Sequence, residues 1–63
     1  MKLEITDTDN AAFTDPDSGE PNERFYRNEV IRILEDVVIK IQDGYDGGRL
    51  RDINGNTVGD WSL

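Results

Sequence analysis

The chain contains neither cysteine nor histidine. The first absence excludes disulfides and thiolate metal sites. The second removes the usual general base and the commonest metal ligand. No apolar run approaches the roughly 18 residues that a membrane-crossing helix needs. The N-terminal stretch MKLEITDTD has one lysine and then acids, without the apolar core of a signal peptide. A cytoplasmic, unprocessed chain is therefore expected. Positive charge is also scarce: seven Lys and Arg stand against 14 Asp and Glu, for a net charge of −7.

That deficit of positive charge narrows the partners. Affinity for nucleic acid comes largely from Lys and Arg neutralising phosphates, so direct nucleic-acid binding is not expected. Anionic membrane surfaces are disfavoured for the same reason. A basic partner, such as the nucleic-acid groove of another protein, is favoured. The competing explanation is simple solubility. The acids are concentrated: Glu4, Asp7, Asp9, Asp15, Asp17, Glu20 and Glu23 face only Lys2 in residues 1–23, which leaves −6 there. Residues 24–43 sum to zero and residues 44–63 to −1.

With 63 residues the chain makes one domain. At this size folding buries only about 60% of the open chain's surface, and stability is expected at about 3–5 kcal/mol. Small domains without staples often gain stability by self-association or by binding a partner, which leaves a homodimer open.

KLEITDT alternates apolar and polar residues and predicts a half-buried strand over residues 2–6. DTDNAAFTDPDSGEPN is rich in turn formers and reads as an acidic loop over residues 7–21. Phe13 is expected to pin that loop to the core, with an exposed contact residue as the alternative. The longest patterned run predicts a helix over residues 22–43. Tyr26, Val30, Ile33, Leu34, Val37 and Ile41 make one stripe at helical spacing. Asn22 suits the N-cap and Gly44 the C′ position. The β-branched residues Val37, Val38, Ile39 and Ile41 make a strand over 37–41 a competitor. Phe25, Ile31, Val38 and Ile39 lie partly off the stripe, which points to cover from the loop or from a second copy. Glu29 and Asp36, with Arg32 between them, read as a solvated face.

RLRDI and NTVGDWSL read as two strands around Asn54-Gly55, a hairpin over residues 48–62. A two-residue type I′ turn pairs Leu50 with Gly59, Arg49 with Asp60 and Arg51 with Val58. One face then carries Leu50, Gly59 and Trp61. Gly59 is expected to be small where a helix or the Trp61 ring comes close. Arg49 and Asp60 become a cross-strand charge pair worth at most about 1 kcal/mol. The order strand, loop, helix, strand, strand predicts an α+β fold with one helix on a three-stranded sheet.

Calcium-loop spacing fails wherever it is tried. Counting from Asp7, positions five, six and twelve hold Ala11, Ala12 and Ser18 instead of Asp or Asn, Gly and Glu. Counting from Asp15, Gly19 and Tyr26 fall at five and twelve; counting from Asp52, Thr57 and Leu63 fall at six and twelve. No metal or cofactor is expected. DGYDGG lacks the Lys-Ser/Thr of a phosphate loop. Without His or Cys there is no nucleophile–base pair, and so short a chain has little room for a dry pocket. No enzymatic activity is expected.

The segments DTDNAAF, EVIRIL and GRLRDINGNTVGDW together resemble a group of short phage and prophage proteins of unassigned role. That group has an N-terminal Asn-Ala-Ala-Phe segment and a terminal Leu-Arg-Asp-x-Asn-Gly-Asn-x-Val-Gly motif. The run DVVIKI departs from its pattern, where more Ala and Leu are usual. The resemblance implies a phage or mobile-element setting, in which small acidic proteins often inhibit host defence.

Two functions are expected from different classes. In the first, a non-enzymatic protein of phage type inhibits a host protein, such as a CRISPR effector or restriction nuclease, by occluding its basic surface. Its contact carboxylates are Asp7, Asp9, Asp15, Asp17, Glu20 and Glu23. In the second, the chain is a structural module that dimerises through Phe25, Ile31, Ile39 or Trp61.

Overall fold

The computed structural model describes residues 1–6, 8, 11–15, 17, 18, 20 and 22–63. Strand β1 (Lys2–Ile5) is followed by a 3-10 turn (Ala11–Phe13), helix α1 (Glu23–Gln42), and strands β2 (Gly47–Arg51) and β3 (Thr57–Ser62). The strands form one antiparallel sheet in the order β1-β3-β2, so the last strand to be made lies in the middle. The expected α+β architecture of one helix and three strands is what the chain adopts.

The helix is closed at both ends by local chemistry. The Asn22 side-chain oxygen accepts from the backbone N–H of Arg24 (2.9 Å) and Phe25 (3.4 Å), satisfying two donors that the first turn cannot. At the other end Gly44 takes φ +96°. Its N–H donates to the Ile41 carbonyl (3.1 Å), and the Tyr45 N–H donates to the Lys40 carbonyl (3.0 Å). These are the two bonds of a Schellman cap. The Lys40 ammonium also lies 5.6 Å from the centre of the Tyr45 ring, within cation–π reach. The β-branched run over 37–41 stays helical. Its propensity penalty is a few tenths of a kcal/mol per residue, small beside the burial of Val37 at 3% exposure.

The core is Phe13, Ile33, Val37, Leu50, Val58 and Trp61, with Leu3, Ile5, Ala12, Val30 and Ile41 packed against it. Helix and sheet are mismatched in length. A 20-residue helix spans about 30 Å, whereas strands of four to six residues span roughly 13–20 Å. The 3-10 turn covers part of the excess. Phe13 is buried and its ring lies 5.7 Å from that of Tyr26, tilted by 48°. Phe13 therefore pins the acidic segment, as expected. The segment is not structureless: it holds the 3-10 turn, a bridge residue at Thr14 and a further turn at 17–18.

The hairpin register agrees with expectation in β2 as far as Leu50, which pairs with Gly59, while Arg49 pairs with Asp60. Beyond that point it differs. Arg51 pairs with Thr57 rather than Val58, which leaves Val58 as the extra residue of a β-bulge. The turn is correspondingly longer than the two-residue type I′ form. The Gly55 N–H donates to the Asp52 carbonyl (3.0 Å), closing a four-residue turn. Gly55 alone has positive φ, at +85°, while Asn54 does not. Asp at the first and Gly at the fourth position suit such a turn followed by a left-handed residue. The bulge has a packing consequence. Val58 and Trp61, three residues apart, are both buried on the helix side.

Gly59 is small for a different reason from the one expected. A Cβ there would collide with the backbone carbonyl of Glu4 in β1, not with the helix or the Trp61 ring. Arg49 and Asp60 are in register, yet among the described residues the ion pairs are Arg27–Glu23 and Arg32–Glu29. An exposed pair of this kind gains little over water. No helix among the described residues is long and apolar enough to cross a membrane.

Candidate functional site

Two carboxylate-centred turns stand out, one at each end of the helix's sequence neighbourhood. The first lies in the acidic segment. The Asp15 N–H donates to the Glu20 carbonyl (3.0 Å), which brings these two residues together. Within this stretch the Asp17 N–H donates to Asp15 Oδ1 (2.9 Å) and the Glu20 N–H donates to Ser18 Oγ (3.3 Å). Such side-chain acceptors replace backbone acceptors in tight turns. Asp15 is half-buried, while Asp17, Ser18 and Glu20 are exposed.

The structure thus gathers Asp15, Asp17 and Glu20 into one turn, three residues before the start of α1. Glu23 follows in the first helical turn, where its charge opposes the positive end of the helix dipole. Its carboxylate is also paired with Arg27 (2.6 Å), both side chains more than 70% exposed. Asp15 spends one oxygen on the turn itself. Asp17 and Glu20 form no ion pair with any described residue. Asp7 and Asp9, the other expected contact residues, lie outside the described residues.

The second turn is the hairpin tip. Asp52 is buried, and its Oδ1 accepts from the backbone N–H of Asn54 (3.0 Å) and Asn56 (2.8 Å). Its Oδ2 accepts from the Asn56 side-chain amide (3.2 Å). Asp52 thus satisfies the turn's own amides, as its place beside Asn-Gly implies.

Glu29 corrects the expected solvated face. It is only 5% exposed. Its Oε2 accepts from the Ile53 N–H in the hairpin tip (2.8 Å), and its Oε1 accepts from Arg32 Nε (2.5 Å). Arg32 Nη2 in turn donates to the Arg51 carbonyl (2.9 Å). Glu29 and Arg32 are therefore a polar clamp between α1 and the tip. The sign was present in the spacing: Glu29, Ile33 and Val37 recur every four residues, on the helix face that faces the sheet. A buried charge persists where it is paired and hydrogen-bonded, and here both carboxylate oxygens are used.

The remaining surface is simpler. An open groove of about 440 Å³ is lined by Glu23, Arg24, Arg27, Asn28 and Ile31, all from α1. Among the described residues no group of three or more Asp or Glu is placed to hold a metal ion. Trp61, expected as a contact residue of a dimer, is 3% exposed and belongs to the core. Its indole N–H has no hydrogen-bond partner among the described residues. In comparisons with known proteins, no family model, no curated protein and no solved structure matches the chain at a significant level.

Proposed function

We propose that the protein is a non-enzymatic binding module of phage type, which sets its acidic N-terminal third on the basic nucleic-acid surface of a host protein. By filling that surface it inhibits the host protein, a CRISPR effector or restriction nuclease being the kind of target whose basic groove fits. The observation that carries this reading is the turn at 15–20. It holds Asp17 and Glu20 in a hydrogen-bonded frame, exposed and without cationic partners among the described residues. The bonds hold the backbone beneath these side chains, and carboxylates carried on an ordered backbone lose less conformational entropy on docking than carboxylates on a free chain. The charge distribution supports the same face, because −6 of the net −7 lies in residues 1–23.

The energetics are those of DNA binding with the roles exchanged. The module supplies negative charge, and the host surface gives up the anions or nucleic acid it held. The test is capture of host proteins on the tagged full chain, followed by elution with duplex DNA. The captured protein is expected to be a nucleic-acid binder that DNA displaces. Capture should weaken from about 0.1 to 1 M salt, as the Debye length shrinks from about 10 to 3 Å. A chain with Asp7, Asp9, Asp15, Asp17, Glu20 and Glu23 changed to their amides should lose it. Capture that survives both the salt and the amide changes would falsify the reading.

A further inference from the structure

A second face of α1 carries a pattern that the core meets only at its Ile41 end. Arg24, Arg27, Ile31, Leu34, Val38 and Ile41 are spaced alternately by three and four residues, the spacing of a coiled-coil seam. The seam is rotated by about 100° from the Ile33–Val37 line that meets the sheet. Its centre is open: Ile31 is 50%, Leu34 41% and Val38 54% exposed. The groove of about 440 Å³ lies on this seam. Four of its five lining residues, Arg24, Arg27, Asn28 and Ile31, stand at i, i+3, i+4 and i+7. That is the four-residue hole into which a side chain of a facing helix inserts.

We propose that this face binds the same face of a second copy, as an antiparallel pair of helices. Ile31 and Val38 stand at one seam position and Leu34 at the other, which gives the continuous apolar seam that a facing helix can cover. Charge selects the direction. A parallel pair would set Arg24 and Arg27 against their own copies and align the helix dipoles. An antiparallel pair with its two-fold axis between Arg32 and Ile33 sets Ile31 against Leu34 of the second copy. It delivers Val38 of the second copy to the Arg24–Ile31 hole. It also brings Glu35 within one helical turn of Arg27 of the second copy, an opposite-charge contact made twice by symmetry. The proposal shares only Glu23 with the acidic contact set and does not depend on the function of that set.

The experiment is sedimentation equilibrium of the full chain at rising concentration, in low and in high salt. A dimer is expected, and salt should strengthen it, because two chains of −7 repel. This is opposite in sign to the salt effect expected for docking through the acidic turn. Val38→Glu should raise the dimer dissociation constant by about 100-fold or more, with unchanged helical circular dichroism because the position is exposed. Ile31→Lys should do the same. Arg27→Glu and Glu35→Arg should each weaken the dimer, and the double swap should restore it. A wild-type chain that stays monomeric at about 1 mM overturns the proposal. So does a Val38→Glu chain that dimerises as well as wild type, or a double swap that fails to restore.

Discussion

The turn at 15–20 and the turn at 52–56 are made the same way and end up with different roles. Each begins with an aspartate whose N–H reaches forward to a carbonyl, that of Glu20 in one and of Asn56 in the other. Each aspartate then accepts the N–H two residues on, Asp17 in one and Asn54 in the other. The difference is what lies above them. The hairpin tip is roofed by α1, whose Glu29 takes the Ile53 N–H and whose Arg32 takes the Arg51 carbonyl. Asp52 is thereby buried and its carboxylate fully occupied. The acidic turn has no described roof of that kind, and its outer carboxylates remain exposed. One local motif is thus roofed by the helix in one place and keeps exposed carboxylates in the other.

That contrast can be tested by substitution. The largest effect is expected where the hairpin meets β1. Gly59→Ala should cost about 3 kcal/mol or more, because the new methyl meets backbone that cannot move aside. Gly48→Ala, whose Cβ would meet only the Trp61 indole at 3.5 Å, should cost far less. Thermal melts of the two variants check this directly. Next is Asp52→Ala, which removes an acceptor used three times and should destabilise by about 2–3 kcal/mol. Asp15→Ala removes the bond to the Asp17 N–H in a half-buried site and should cost less than about 1 kcal/mol. Equal costs in urea unfolding would mean that the two turns are not differently supported.

Glu29→Leu should destabilise by about 1–3 kcal/mol, since it strands the Ile53 N–H beneath the helix. Amide exchange should localise the loss, with the Ile53 N–H the first to lose protection. The smallest effect is expected for Asp17→Asn with Glu20→Gln. Stability should stay within about 0.5 kcal/mol, while capture of the basic partner falls. A stability loss comparable to that of Asp52→Ala would place these carboxylates in the fold rather than in binding.

Much of the architecture was legible along the chain. The Asn22 cap, the Gly44 stop and the apolar stripe bounded the helix to within a residue at each end. The period-2 pattern located β1, and Asn54-Gly55 located the hairpin. Two readings failed, one for a distant cause and one for a local cause. Glu29 looked solvated because a charged residue among Arg and Asp is usually a surface residue. Its burial depends on a hairpin that returns 24 residues later to offer it an N–H. The tip looked like a two-residue turn because Asn-Gly favours that form. Asp52 instead supplies acceptors that suit a longer turn, and the bulge at Val58 reconciles that turn with the Leu50–Gly59 register of the sheet. For the candidate site, the excess of acid was plain in the composition. That Glu23 is paired with Arg27, and that Asp15 spends an oxygen on its own turn, is decided only in the folded chain.

Features whose causes lie within a few residues follow from the chain alone. Caps, the left-handed glycines and the apolar stripe rest on hydrogen bonds and sterics between near neighbours in sequence. The segregation of negative charge is likewise a property of the residue order. The central place of β3, the bulge, the exclusion of any side chain at Gly59 and the burial of Glu29 have causes that lie far apart in sequence. Each depends on which backbone arrives opposite, and near neighbours in sequence do not fix that. The folded chain also turned a single apolar helix into two faces. One is covered by the sheet and Phe13, and the other is left bare at Ile31, Leu34 and Val38, because a three-stranded sheet is too narrow to cover both.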